Sequence, residues 1–531
     1  MRIINNDRLE PLFDTAATQA IEQAAQATLP HHALMARAGL ALARLARALA
    51  PHARCIWVAC GPGNNGGDGL VAATHLHAWA RQSGSALRVV VTHAVAEGAD
   101  PARLPPDARQ ALVAAQAAGV VFHSAPPDEA DLAIDALLGI GTMRPLRGPL
   151  ATWLARLRSS AAPVLCVDLP SGLHADTGAL AAIEHDGPPV TRTGTGARHT
   201  LSLLTLKPGL FTGQGRDAAG QIWFDDLGVM PAADVRPAAW LSGRAAHVGA
   251  KTSMPHASHK GSFGDVVVIG GQGVATNGAG MTGAAVLAAR AALHAGAGRV
   301  FVGLLEAGSP SETTWDPVCP ELMFRRPDAW LDTPLLRQAS VVCGCGGGAA
   351  VAAMLPRLLS SATSLVLDAD ALNAIAQDAS LQAQLTHRQG RGWITVLTPH
   401  PLEAARLLGT DTAQVMIDRL QAAQTIAAQF GAVCVLKGSG TVIAAPNETT
   451  RINPTGNAAL ATAGTGDVLA GMIGSALARP ASSTGAALDR VASAVLQHGW
   501  LADHWDDSEE SRTRRPSLVA GELALRARPV G

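Results

Sequence analysis

Short apolar runs alternate with longer stretches of helix-forming residues along most of the chain. After an opening helical segment at 14–50, runs at 54–60, 87–92, 118–123, 131–136, 163–168, 200–205 and 221–224 read as strands. Periodicity fades between 229 and 262, a segment rich in Pro, Ser, Gly and His that reads as a linker, with His256 and His259 in a solvated loop. A second series opens with GDVVVIGG at 264–271 and continues with strands at 299–304, 340–343, 364–368, 393–397, 432–436 and 441–444. Strands alternating with helices predict mostly parallel sheets, with ligand sites beyond the carboxyl ends of the strands. No short-period repeat joins the halves, so they are different α/β units. The charged stretch at 506–515 reads as an exposed loop before a last helix.

Composition bounds this picture without changing it. At 531 residues the chain exceeds what one core usually serves. With 48% hydrophobic and 16% charged residues and a formal net charge of -1, nothing points to nucleic acid or a membrane surface as partner. The polar N-terminus lacks the layout of a signal peptide, and no apolar run is long enough to span a bilayer, so a cytoplasmic location is expected. Most of the seven cysteines fall in or beside strand-like runs and read as buried reduced thiols. Cys343 and Cys345 form C-x-C without a second pair, which does not argue for zinc.

The polar residues gather at predicted strand ends. CGPGNNGGDG at 60–69 carries G-x-G-x-x-G after a strand and before a helix, the turn that holds a dinucleotide phosphate. A redox cofactor would require an acid after the second strand, and none follows 87–92. Asn64, Asn65 and Asp68 are side chains that a plain pyrophosphate turn does not need. Asp135 precedes a small-residue turn, and Asp168 precedes LPSGLHADTG with Ser171. Asn65, Asp135, Asp168 and Ser171 are hard oxygen donors, suited to a cation of little transition-metal character.

In the second half, small residues at 461–466 lead into a helix, so successive N–H groups can face a transferred phosphate, with Asp467 placed to take a proton from a hydroxyl. KGSGT at 437–441 is a strand-end turn able to hold a nucleotide phosphate, although it is not a Walker loop. His400 is held between two prolines. DADALN at 368–373 and CGCGGG at 343–348 are further polar or glycine-rich strand ends.

The motifs GPGNNGGDG, DALLGIGT and DLPSGLHADTG resemble the NAD(P)H-hydrate epimerase domain over residues 1–228. GDVVVIGG, DADALN, TPHPLE, KGSGT and GTGDVLAG resemble the ADP-dependent NAD(P)H-hydrate dehydratase domain over about 240–525. This implies a Rossmann-like three-layer sandwich at 1–228, a linker at 229–262 and a ribokinase-like α/β domain at 263–531. In the first domain it implies that Asn64, Asn65, Gly66, Gly67 and Asp68, with Gly139, Ile140, Gly141, Thr142, Met143, Arg144 and Pro145, embrace the hydrated nucleotide. It also implies potassium at Asn65, Asp135 and Ser171, and Asp168 against the substrate as proton-transfer residue. In the second it implies Ala284, Gly346, His400 and Asp467 on the substrate, and Lys437, Gly438, Ser439, Gly440, Thr441 and Gly466 on the nucleotide. The substrates implied are hydrated NADH or NADPH, with ADP as phosphoryl donor and magnesium beside it, in a homo-oligomer. Leu402 stands where the family usually has glycine, and CGCGGG replaces its usual GPGLG. A sugar or vitamin kinase is the rival reading, because Gly464 to Asp467 is a signature such folds share. A first half that merely binds nucleotide or acts as a scaffold is a third.

Overall fold

The computed structural model describes residues 1–94, 104–141, 145–183, 194–244, 256–274, 278–305, 315–329, 333–479, 483–505 and 517–530. The chain divides into two compact units, one of Met1–Ile4 and Pro11–Ala238, the other of Asn5–Glu10 and Ala239–Gly531.

In the first unit, alternation along the strands sorts side chains to opposite faces of one sheet. From Cys55–Cys60, residues Ile56, Val58 and Cys60 join one core cluster with the helices Ala33–Leu49, Asn64–Ser83 and Pro106–Ala117. Trp57 and Ala59 join the other, with Ala151, Trp153, Leu154 and Leu157 of the helix Gly148–Arg158. The result is a three-layer sandwich.

The strand order is Arg2–Ile3, Gln221–Asp225, Arg198–Leu203, Val164–Val167, Leu132–Ala136, Cys55–Cys60, Arg88–His93, Val121–His123. The first pair is antiparallel and the others are parallel. The chain winds outward in opposite directions from the strands Cys55–Cys60 and Leu132–Ala136, so a crevice opens beyond their carboxyl ends. Glycines close the loop above it. A Cβ on Gly61 would lie 1.8 Å from the Leu137 carbonyl oxygen, and one on Gly66 would lie 1.9 Å from that of Gly61.

The sheet of the second unit runs Met323–Phe324, Arg299–Leu305, Asp265–Gln272, Ser340–Cys343, Ser364–Leu367, Ile394–Leu397, Val433–Leu436, Val442–Ala444, Thr450–Ile452, Ala239–Leu241. Val442–Ala444 is antiparallel to both neighbours. One face packs on the helices Thr282–His294, Thr465–Ala476, Thr484–Asp503 and Ala520–Arg526. Buried Val267, Val341, Leu365 and Leu397 are the alternate residues that face the other way, where Ala379–Gly390 and Arg419–Phe430 pack on the sheet. Both halves thus have the α/β class expected from sequence.

The differences are local. The opening helical segment is two helices, Thr15–Gln26 and Ala33–Leu49, interrupted where Pro30 cannot continue the backbone hydrogen bonding. The strand Ala239–Leu241 lies in the stretch expected as linker, and Arg2–Ile3, Met323–Phe324 and Thr450–Ile452 are too short for alternation to mark them. The 506–515 loop lies outside the described residues. All seven cysteines are buried and unpaired, and among the described residues no helix is long and apolar enough to cross a membrane.

Because Gly66 sits on backbone that cannot move aside, Gly66→Ala is expected to lower stability by about 1–3 kcal/mol, the usual cost of overpacking. Urea denaturation of the two proteins measures this.

Candidate functional sites

The crevice of the first unit holds a cavity of about 410 Å³, within the range of small-ligand sites. Asn64, Asn65, Asp68, Gly139, Ile140, Gly141 and Asp168 all line it. Gly66 and Gly67 turn inward, where a Cβ on Gly67 would lie 2.5 Å from the end of Met35. Pro145 is not among the lining residues, and Thr142, Met143 and Arg144 lie outside the described residues.

Asp135 and Ser171 are fully buried and joined to each other. Ser171 Oγ donates to Asp135 Oδ1 at 2.5 Å, the Ser171 N–H donates to Oδ2 at 2.9 Å, and the Leu138 N–H donates to Ser171 Oγ at 2.9 Å. Burial raises the Asp135 carboxyl above its ordinary range, against these bonds. Asn65 stands against Gly139, and its buried Nδ2 has no hydrogen-bond partner.

Asp168 follows the strand Val164–Val167 with a left-handed φ of 64°, a conformation held by its bonds. Its Oδ1 accepts from the Leu203 N–H at 3.0 Å and from Lys207 Nζ, and Lys207 also donates to the Leu203 carbonyl at 2.8 Å. Lys207 is fully buried and was not singled out by its sequence. The available signal was a lone cation after a parallel strand, in the otherwise apolar run TLKPGL. Glu22 was missed too, and it lines the cavity from the helix Thr15–Gln26, where the sequence shows only a surface-like helix. Burial raises Asp68 well above the usual carboxylate range, and the charges of Asp168, Glu22 and Asp107 raise it further.

In the second unit the helix Thr465–Ala476 begins behind Gly464, whose φ of 89° belongs to the region that favours glycine. No side chain caps this helix; the Thr465 N–H donates to the Thr462 carbonyl at 3.4 Å, and the N–H groups of Gly466 and Asp467 that follow stand where a helix start can meet an anion. Asp467 lies in its first turn. Burial, then the charge of Asp368, pushes the Asp467 carboxyl up to about 6, while a hydrogen bond from Cys345 opposes the shift. A Cβ on Gly466 would lie 3.5 Å from Lys437 Nζ.

Lys437 binds Asp368 Oδ1 at 2.7 Å and stands 4.0 Å from Glu403 Oε2. Burial alone would lower the lysine, but Asp368 and Glu403 outweigh it and the net shift is upward. Thr398 Oγ1 gives Asp368 Oδ1 a second bond at 2.7 Å. His400 caps the helix Pro401–Leu408, its Nδ1 accepting from the N–H groups of Leu402 at 3.1 Å and Glu403 at 3.3 Å. The neutral ring therefore carries its proton on Nε2, 3.3 Å from Glu403 Oε1. Burial pushes Glu403 up to about 6, against Lys437.

The turn after Lys437 needs its glycines, with Gly438 at φ 136° and Gly440 at 61°. Thr441 Oγ1 bonds the Gly438 carbonyl at 3.1 Å, and the turn also holds Ser439. Gly346, at φ 58°, packs on Ala284, to whose Cβ an added methyl would come within 2.9 Å. Asp368, Thr398 and Glu403 complete a network of which the sequence showed only separate strand ends.

Both halves of the chain match known families. A family model described as YjeF-related protein N-terminus matches residues 31–209, and one described as NAD(P)H-hydrate dehydratase matches residues 266–522. A bifunctional NAD(P)H-hydrate repair enzyme of Escherichia coli is 35% identical, the match covering 88% of this chain and 84% of that one. One from Coxiella burnetii is 34% identical over 96% of this chain and 97% of its own. An ADP-dependent (S)-NAD(P)H-hydrate dehydratase of Neisseria meningitidis is 42% identical over 51% of this chain and 86% of its own. The two family matches and similarity over nearly the whole length lead to one assignment: the chain belongs to the family of bifunctional NAD(P)H-hydrate repair enzymes.

Proposed function

We propose that the first unit interconverts the R and S hydrates of NADH and NADPH at C6. The second unit then dehydrates the S hydrate with consumption of ADP, giving NAD(P)H, AMP and phosphate. The observation that carries this reading is Asp467, a carboxylate tuned near neutrality at the uncapped start of a helix and beside Lys437.

Asp467 accepts the proton of the C6 hydroxyl as that oxygen attacks the transferred phosphoryl group. The helix N–H groups and Lys437 meet the charge on the phosphoryl oxygens. The ring nitrogen's lone pair then expels phosphate from C6, a proton leaves C5, and the dihydronicotinamide is restored. Gly438 to Thr441 offer backbone to the nucleotide phosphates, where magnesium would accompany ADP. Ala284, Gly346 and His400 border the substrate.

In the first unit, both bonds to Asp168 fall on Oδ1, which leaves Oδ2 to exchange a proton with the C6 hydroxyl as the ring opens and closes. The donors present fit potassium. The Asn65 amide, whose unpartnered nitrogen exchanges places with its oxygen by a flip, adds to the Asp135 carboxylate and Ser171 hydroxyl. Asn65, Asp135 and Ser171 would hold the ion, which supplies positive charge that fixes the loop over the substrate. The homo-oligomeric, cytoplasmic form expected from sequence belongs to this proposal.

Incubation of each purified hydrate epimer with protein and ADP, followed by the return of dihydronicotinamide absorbance, tests the assignment. Asp467→Asn is expected to slow recovery from either epimer by about 10²–10⁴-fold, the usual contribution of a positioned base. Asp168→Asn should slow recovery from the R hydrate alone, and a full rate there would dismiss it as the proton-transfer residue. Since Asp467 is raised to about 6, kcat/KM for the S hydrate is expected to fall as pH drops below that value.

The same shift has an opposite effect on stability. Below the ordinary aspartate value of 3.8 the carboxyl is neutral in both folded and unfolded chains; above it only the unfolded chain ionises, until the folded group follows at about 6. Folding stability is therefore lost across that window as pH rises. Asp467→Asn is expected to be more stable than the parent at pH 7 by about 1–3 kcal/mol, the gap closing toward pH 4, as thermal melts at the two pH values would show.

A further inference from the structure

One donor set in the second unit has chemistry that phosphoryl transfer does not require. Cys345, in the turn after the strand Ser340–Cys343, brings its thiol beside Asp368 and Asp467. One ligand atom from each lies within 4.8 Å of the others, and Cys345 Sγ is 3.9 Å from Asp368 Oδ2. In a tetrahedral ion bound by one sulfur and two carboxylates at ordinary bond lengths, donor atoms stand about 3.4–3.7 Å apart. The widest separation among the three donors therefore needs to close by about 1.4 Å at most.

Their setting suits a cation. Cys345 and Asp368 are buried and Asp467 half-buried, so water competes poorly for them. A thiolate and two carboxylates around a dication leave one negative charge, and the Lys437 ammonium 2.7 Å from Asp368 Oδ1 answers it. The sulfur decides the class of ion: magnesium prefers an all-oxygen shell, whereas thiolate selects zinc and its softer relatives.

We propose that Cys345, Asp368 and Asp467 form a binding site for a zinc-class divalent cation, and that its occupation stops dehydration by engaging the Asp467 carboxylate. The metal–sulfur bond forms as the thiol proton leaves to solvent, with no change of oxidation state. The inhibition rests on the reading of Asp467 as base, whereas binding of the metal does not.

Cadmium ion added to the full-length protein tests both parts. Thiolate-to-cadmium charge-transfer absorbance is expected to saturate at a single equivalent per chain, while the dehydratase rate with magnesium and ADP falls at least about 10-fold in step. Loss of an outer-shell partner alone weakens metal binding about 10–100-fold, so Cys345→Ser, which removes a direct ligand, is expected to abolish the band and weaken inhibition at least as much. Cys319→Ser removes a thiol that lies 3.8 Å from His294 Nε2, and should keep both. Circular dichroism melts check that each variant folds. X-ray absorption on the cadmium-loaded parent, expected to show one sulfur in a shell of oxygens, needs no variant.

Absence of the band, its persistence in Cys345→Ser, or an all-oxygen shell would overturn the site. A saturating band with an undiminished rate would overturn the inhibition alone. A protein with no dehydratase activity at all would fail the proposed function while the spectra still decide the site.

Discussion

A carboxylate taken out of water at the end of a parallel strand must be met by donors or give up its charge, and both units are organised around that requirement. In the first, Asp168 is met by Lys207, which arrives after the next strand of the sheet; in the second, Asp368 is met by Lys437, which arrives two strands further along. Each lysine is secured by more than its ion pair, Lys207 by the Leu203 carbonyl and Lys437 by its approach to Glu403. With one aspartate in each unit so paired, the neighbouring carboxyls Asp68 and Asp467 rise, through burial first and the charge of that aspartate second.

This explains what the sequence disclosed and what it withheld. Alternation and apolar runs marked the main parallel strands because each is buried on both faces and long enough to show it. The motif letters Asn65, Asp68, Asp135, Asp168 and Ser171 were legible because they stand at the ends of those strands or in the turns just beyond. Lys207 and Glu22 were not, since one sits in an apolar run and the other on an ordinary helix, and only the crevice brings them near Asp168. In the second unit Asp368, Thr398 and Glu403 were visible as letters, but their mutual bonds join segments that no local pattern connects.

The two glycine-rich turns also do different work from what their spacing first suggests. Gly61 and Gly66 are required by backbone packing, Leu137 against Gly61 and Gly61 against Gly66, so the G-x-G-x-x-G of this chain folds a loop as well as opening a helix toward an anion. Gly464 is different in kind: its positive φ starts the helix of Asp467 without a side-chain cap. The same residue type therefore shapes one site through close approach and the other through backbone conformation.

The helix bearing Asp467 is seated deeply. A Cβ on Gly471 would lie 1.9 Å from the Ala288 carbonyl, so the helices Thr465–Ala476 and Thr282–His294 meet almost backbone to backbone. With so little side chain between them there is nothing to slide or tilt upon, and the floor of the second site behaves as an anvil. Whatever motion admits substrates and releases products must belong to the turns around it.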